Sequence, residues 1–345
     1  MRFPQDLGKK LLSRASAILV VGLLVLATTR GWQPSLKNPP PLTHSQIDSM
    51  ARLQKSVRHF SVAIGNRNYR SIASLDRTAE DIAKALRALG YQVEIFPYQT
   101  LGMTFKNILA TDPLRSPELP RILVSAHYDT CFNPGADDNA SGVAGMLELA
   151  RLVKDQDLPA NVQFAAFVNE EPPFFRTEHM GSRVFLKDHK ERVKGLSGVI
   201  TLEMIGYFSD RPFSQEYYPL LGPFYPNRAD FITVIGNYAS RDLLGRVKKS
   251  FQAHRQITVA SIIAPEFLPG VTYSDHWSFW REGIPAVMVT DTAFMRNPHY
   301  HKLSDLPETL DYERMARVIH GLHKAILDFN SAKINTPNSI STESD

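Results

Sequence analysis

One cysteine, Cys131, occurs in 345 residues, so no intrachain disulfide can form and the fold must hold together by packing. There is no long lysine or arginine run and no basic stretch interleaved with aromatics. With the basic residues scattered, a net charge of +4 and a sequence pI near 9 do not amount to a nucleic-acid-binding surface. There is no internal repeat, which excludes a solenoid. What is present begins at the N-terminus. Arg2, Lys9, Lys10 and Arg14 precede the uncharged run ASAILVVGLLVLATT, which ends at Arg30. That layout is expected to form an N-terminal hydrophobic helix, a signal peptide or membrane anchor over residues 1–32. No good small-x-small cleavage site follows, which favours retention as an anchor. In either case the rest of the chain is placed outside the cytoplasm, membrane-anchored or secreted.

Residues 33–43, rich in proline, read as an extended linker that does not pack, and the polar tail 331–345 reads as disordered. Between them, residues 44–330 are expected to form one domain. Thr43 is placed to cap a first helix, and Ile82, Leu86 and Leu89 mark a second that stops at Gly90. In SGVAGMLELARLVKD, Ser141 is expected to cap a helix whose apolar stripe is Val143, Met146, Leu147, Ala150 and Val153. A last amphipathic helix is expected over Tyr312–Phe329, with His320 and His323 on its surface. Short β-rich runs alternate with these helices: YQVEIF, FKNILA, RILVSA, NVQFAAFV, GVITLEMIG, FITVIG, ITVASII and IPAVMVT. Several are apolar throughout, as strands covered on both faces must be. The pattern predicts an α/β three-layer sandwich around a central, largely parallel mixed sheet.

Charged residues and histidines gather just after these runs, at the carboxyl ends where an open α/β sheet builds its site. His127 and Asp129 follow RILVSA, and Asp137 and Asp138 lie before the Ser141 helix. Glu170 and Glu171 follow NVQFAAFVN, Glu203 sits within GVITLEMIG, and His299 and His301 follow IPAVMVTDTAFMRNP. Several carboxylates so close would raise one another's pKa unless a cation sat among them. Imidazole and carboxylate donors at strand ends suit zinc or another divalent first-row metal. An HxD, a DD before a helix or an EE alone is ordinarily a core histidine, a helix cap or a solvated face; the weight lies in their conjunction.

The motifs SAHYDT, PGADDNASG, NEE, LEMIG, YSDHWSF and NPHYHKLSDL together resemble the di-zinc aminopeptidase family, across roughly Leu75 to Asn330. That family includes bacterial leucyl aminopeptidases, glutamate carboxypeptidases and glutaminyl cyclases. The resemblance implies two Zn²⁺ ions per chain and peptide or protein N-termini as substrate. It makes His127, Asp138, Glu171, Glu203 and His301 the ligands, with Asp138 bridging. Asp137 would immediately precede the bridge, with a cis peptide allowed between the two. Hydrolysis would use a metal-bridged water with Glu170 as general base, and Asp129 would orient His127. The register of the last motif selects His301 over His299, leaving His299 to line the pocket. Phe174 and Phe175, in a loop longer than usual after the paired glutamates, read either as loop packing or as an apolar wall beside the scissile bond. Asp275 and His276 are expected to support the ligands from behind or to be structural, rather than to bind metal. Cys131 has no basic partner that would make it a nucleophile. The alternatives are a one-zinc glutaminyl cyclase and a non-catalytic surface domain on the same fold. Oligomeric state has no signal in the sequence.

Overall fold

The computed structural model describes residues 35–36, 38–218 and 222–329. The expected leader at 1–32 and tail at 331–345 therefore lie outside the described residues. No helix among the described residues is long and apolar enough to cross a membrane.

An eight-stranded sheet, in the order β1-β2-β4-β3-β5-β8-β6-β7, runs through the molecule. Its strands are β1 Gln92–Thr100, β2 Met103–Thr111, β3 Arg121–His127 and β4 Asn161–Phe167, then β5 Leu196–Glu203, β6 Phe231–Gly236, β7 Thr258–Ile263 and β8 Ala286–Thr290. The central four, β4-β3-β5-β8, are mutually parallel. Antiparallel pairings join β2 to β4 and β6 to β8 at either side of that block. The sheet is thus mixed and parallel at its centre, and the eight β-rich runs of the sequence each supply a strand.

Alternation along the central strands divides the core in two. Ile122, Val124 and Ala126 of β3, with Ile200 and Leu202 of β5, face one layer of helices. That layer comprises α1 His44–Arg58, α2 Ile72–Ala88, α3 Gly142–Val153, α6 Arg241–His254 and α8 Tyr312–Leu327. Leu123 and Val199 face the other layer, built from the shorter α4 Gly181–Asp188, α5 Lys190–Val193 and α7 His276–Arg281. Leu53 and Val57 of α1, Ile82 and Leu86 of α2, and Met315, Val318 and Leu322 of α8 are fully buried. At roughly 25 cal/mol per Å² of apolar surface removed from water, each such side chain contributes about 1.5–3 kcal/mol to this packing.

Thr43 does cap α1, in a reciprocal box with Gln46: each side chain accepts from the other residue's backbone N–H. Three expectations are corrected. The described part of the proline-rich linker packs: the Ser35 hydroxyl donates to Asp230 (3.1 Å) and Leu36 N to Thr258 Oγ1 (2.6 Å), while Pro40 O accepts from Arg317. Proline removes a donor but keeps its carbonyl, and the edge strand β7 offers partners. Ser141 caps nothing. It already has helical φ/ψ, and its hydroxyl donates to Asp137 O and accepts from Ile205 N, tying the preceding loop to the segment after β5. His320 and His323 are half-buried rather than on the surface, because α8 turns that face toward α1; His320 Nε2 lies 2.9 Å from the Ser49 hydroxyl.

Candidate metal centre

Four adjacent parallel strands bring their carboxyl ends to one edge of the sheet, and His127, Glu203 and the Glu170–Glu171 pair lie there. Ser125 of β3 is in register with Thr201 of β5, and their hydroxyls are 3.0 Å apart. Two residues further on the same face, His127 and Glu203 come opposite one another, with Nε2 3.2 Å from Oε2. The Ser274 hydroxyl donates to that same Glu203 oxygen at 2.6 Å. Asn169 and Met204, just past the ends of β4 and β5, and His301, in the long loop after β8, all have positive φ (60°, 46° and 57°), a region that costs a non-glycine residue energy and is used here to re-aim the chain.

Asp138 arrives from the loop before α3, and that loop is held from several sides. Asp305 accepts from Asp137 N (2.9 Å) with one carboxylate oxygen and from Asp138 N (3.1 Å) with the other. Asp137 accepts from Gly206 N and from the Asn297 amide. Asn139 donates to Leu202 O and accepts from Met204 N and Gly142 N. Gly135, at φ +59°, leaves no room for a side chain, since a Cβ there would meet Asp138 O at 2.3 Å. A cis peptide is present, but it joins Asp138 to Asn139 and so follows the aspartate expected to bridge rather than preceding it. Beneath the loop lies Arg67, 1% exposed, whose guanidinium donates to the carbonyls of Phe60, Gly65, Tyr128, Pro134 and Gly135. Burial pulls its pKa down to about 10, against the pull of Asp305, Asp129 and Asp138, so it stays charged.

The five residues expected as ligands meet. His127 Nε2 is 3.4 Å from Asp138 Oδ1, while His301 Nε2 is 3.1 Å from Asp138 Oδ2 and 3.3 Å from Glu171 Oε2. Asp138 thus turns one oxygen to each histidine. His127, Asp138 and Glu203 form one group able to hold an ion; Glu171, His301 and Cys131 form another. Both ring nitrogens of His127, and Glu171 Oε1, are buried without a hydrogen-bond partner. Burial pushes Glu171 up to about 8, with Asp138 adding to it. Burial also raises Glu203, and raises Glu170 well above the carboxylate range, with Glu171 and Glu203 adding and His127 opposing. Burial alone would lower His127, but the charge of Glu203 and the carboxylates of Asp129 and Asp138 outweigh it and hold the ring well above its ordinary value. For Asp138 the opposite holds: burial raises it, His127 and His301 overcome that, and it ends below the carboxylate range. Such crowding is relieved by shared protons or by a cation, and imidazole-plus-carboxylate donors with orphaned nitrogens and oxygens fit a divalent metal.

The remaining expected residues lie as follows. Glu170 is 6% exposed, and its carboxylate makes no hydrogen bond or ion pair among the described residues. Asp129 lies with Oδ1 3.5 Å from His127 Nδ1, on the side where it was expected to orient the ring, and its two oxygens also accept from Glu170 N and Glu171 N, both at 3.1 Å. It positions the glutamate pair. Phe174 is not a cleft wall; it is 3% exposed and packs edge-on against Tyr69 and Phe105 in the core. Phe175 instead meets Tyr273 edge-on. His299 stands outside the cluster, its Nδ1 2.9 Å from the Ser304 hydroxyl and its ring beside Tyr207. His276 is structural: Nε2 lies 2.7 Å from Val271 O, the ring meets Trp280, and burial lowers its pKa to about 4. The Asp275 carboxylate is wholly buried with neither oxygen hydrogen-bonded, and burial pushes it up to about 7. Arg67, Ser274, Asn297 and Asp305 carried no functional reading in the sequence. Ser274 sat inside the motif YSDHWSF, and Asn297 and Asp305 inside NPHYHKLSDL; Arg67 lay outside every one of them.

Beside the cluster lies an open apolar recess. Its walls include Tyr217, Tyr225, Phe231, Ile262, Met288 and Phe294, and it reaches Glu203 and Tyr300. Tyr300 in turn stacks on the His301 ring, with centroids 3.8 Å apart.

A family model described as Peptidase family M28 matches residues 107–326. The chain is 37% identical over 324 residues to the uncharacterized protein YfbL of Escherichia coli (strain K12), covering 91% of this chain and 97% of that one. It is 29% identical over 227 residues to leucine aminopeptidase 1 of Trichophyton equinum, across 61% of this chain and only about half (54%) of that protein. Among solved structures, a zinc aminopeptidase from Bacillus subtilis shares the fold at a TM-score of 0.65 and 16% identity, over 80% of this chain and 94% of that one.

Proposed function

Because the chain belongs to peptidase family M28, we propose that it is a zinc-dependent exopeptidase of the aminopeptidase type, cleaving N-terminal residues from peptides or proteins. One observation carries the reading. Asp138 turns one oxygen to His127 and the other to His301, while the buried Glu170 carboxylate feels the charges of His127, Glu171 and Glu203. In this reading His127, Asp138 and Glu203 hold one zinc ion, and Asp138, Glu171 and His301 hold a second. When bound, zinc supplies Lewis acidity that polarises the scissile carbonyl and acidifies water.

The chain's own groups do the rest. Glu170 accepts a proton from the attacking water as the water oxygen bonds to the carbonyl carbon. It then delivers that proton to the leaving nitrogen as the C–N bond breaks. Asp129 fixes the Glu170 and Glu171 backbone, and so the direction from which the proton is taken. The substrate's free α-amine, a cation, is drawn to the carboxylates. Its first side chain enters the apolar recess that reaches Glu203, which favours large apolar or aromatic N-terminal residues. The leucine aminopeptidase among the relatives supports this direction. The basic flank and apolar run of residues 1–30 support a catalytic domain held outside the cytoplasm.

The test is a panel of aminoacyl chromogenic substrates, run with the zinc-loaded protein with and without a chelator. Cleavage that the chelator abolishes and zinc restores, fastest with leucyl or aromatic substrates, is expected. No cleavage of any aminoacyl substrate with added zinc or cobalt would overturn the reading. Cyclisation of N-terminal glutamine without hydrolysis would replace it by glutaminyl cyclase chemistry.

A further inference from the structure

The chain's only cysteine lies within the cluster. Cys131 Sγ, an oxygen of Glu171 and a ring nitrogen of His301 all lie within 4.8 Å of one another. Resting on the metallopeptidase reading, we propose that Cys131 is itself a metal donor, completing with Asp138, Glu171 and His301 a four-donor position beside the three-donor position of His127, Asp138 and Glu203.

Independent observations support this. Glu171 is 4% exposed and its Oε1 is buried with no hydrogen-bond partner, so the carboxylate that lies within 4.8 Å of the Cys131 sulfur keeps an unsatisfied acceptor. The loop that carries Cys131 is held at both ends. Thr130 N donates to Arg67 O, Thr130 Oγ1 accepts from Arg67 N, and the Arg67 guanidinium grips the carbonyls of Tyr128, Pro134 and Gly135. A thiol placed at random on a mobile loop would have no such support. The chemistry is consistent too. A tetrahedral zinc with bonds of about 2.3 Å to sulfur and 2.0–2.2 Å to nitrogen and oxygen brings its donors to roughly 3.3–3.7 Å from one another. His301 Nε2 already stands 3.1 Å from Asp138 Oδ2 and 3.3 Å from Glu171 Oε2, close to that spacing.

A division of labour follows. Four protein donors fill a tetrahedral site, whereas three leave a vacancy, the difference between structural and catalytic zinc. The apolar recess reaches Glu203 of the three-donor position but is not lined by Cys131, Glu171 or His301. The open coordination and the side-chain pocket therefore adjoin. The thiolate also makes the four-donor position soft, selecting zinc, cobalt or cadmium over magnesium and manganese.

The experiment uses the full chain stripped of metal and reloaded with Co²⁺, comparing wild type with Cys131→Ser and Cys131→Ala. Cobalt uptake is followed by metal analysis and d–d absorption, and sulfur ligation by the near-ultraviolet sulfur-to-cobalt charge-transfer band. In wild type that band should rise with one of two cobalt equivalents. Both variants should bind cobalt without the band, and should lose at least the roughly 10–100-fold in affinity that removal of an outer partner costs, for one equivalent only. The single thiol should react with a disulfide reagent in the metal-free chain and be protected once loaded. Cobalt bound with d–d absorption but no charge-transfer band in wild type would overturn the thiolate while leaving the metallopeptidase reading intact. A wild-type chain that binds neither cobalt nor zinc would overturn both.

Discussion

The two halves of the cluster are built differently. His127 and Glu203 sit at the last residues of neighbouring parallel strands, completely or nearly buried, in a register set by the sheet itself. Glu171 and His301 stand on loops, and the His301 side chain is 29% exposed. Sheet register places the first pair, with the Ser274 hydroxyl holding the Glu203 carboxylate; in the second, Glu171 depends on Asp129, which accepts from its backbone N–H, and the segment carrying His301 on Asn297, whose side chain accepts from His299 N. Precision comes from the strands and access from the loops, a division that suits a site which must hold charge and still admit a chain end.

That contrast can be broken at several points, beginning with the largest effect. Glu170→Gln should lower kcat roughly 10²–10⁴-fold while zinc content, measured on the purified protein, stays at the wild-type level; near-wild-type turnover would remove Glu170 as the base. Removing the brace should come next. Arg67→Met strands the carbonyls of Gly65, Tyr128 and Pro134, those of Phe60 and Gly135 keeping a backbone donor, so at about 1–3 kcal/mol each urea unfolding should show a loss of at least about 3 kcal/mol, with weakened metal binding. The direct comparison pits His127→Ala against His301→Ala in the metal-free protein. Taking a buried partner from paired carboxylates costs about 3–5 kcal/mol, whereas loss of His301, whose side chain is 29% exposed and already partly solvated, should cost less, although both changes should abolish binding of a metal pair. Equal losses would mean that the loop half is as rigid as the strand half.

Smaller effects sharpen the picture. Asp305→Asn turns an amide donor toward the N–H of Asp137 or Asp138, and should cost about 1–3 kcal/mol and lower metal affinity by loosening Asp138. The weakest lever lies far from the site. Burial, assisted by Lys324, His320 and Arg151, holds His323 at about 4, below its ordinary 6.5. The folded chain keeps it neutral while the unfolded chain protonates it, so its contribution is full above pH 6.5 and is lost as the pH falls toward 4. The melting temperature of His323→Gln should therefore fall less than that of wild type across this interval.

Much of this design could be read from the residues alone, for a physical reason. Strands covered on both faces are apolar runs, and a histidine or glutamate directly after such a run has few places to go except the sheet edge; His127, Glu171 and Glu203 were legible on that ground. His301 was legible only through the resemblance, since nothing local distinguishes it from His299. Arg67, Asn139, Ser274 and Asp305 were not legible, because their partners are backbone groups or carboxylates distant in sequence, and a single polar residue carries no periodicity. Phe174 shows the same limit from the other side: an aromatic after paired glutamates fits a core or a cleft equally well until its neighbours are known. Ser141 carried the right composition for a cap, but the chain is already helical there, and its hydroxyl was taken by a longer-range tie.

Arg67 bears on how the chain can be trimmed. The family match begins at residue 107, forty positions downstream of Arg67 and beyond both α1 and α2. A fragment cut to the matched boundaries would keep all five expected ligands and Glu170, yet the floor under the loop from Tyr128 to Gly135 would be gone. Expression designs and domain swaps in this protein should therefore start upstream of Thr43, because the segment that looks like a dispensable lead-in supplies the keel of the catalytic edge.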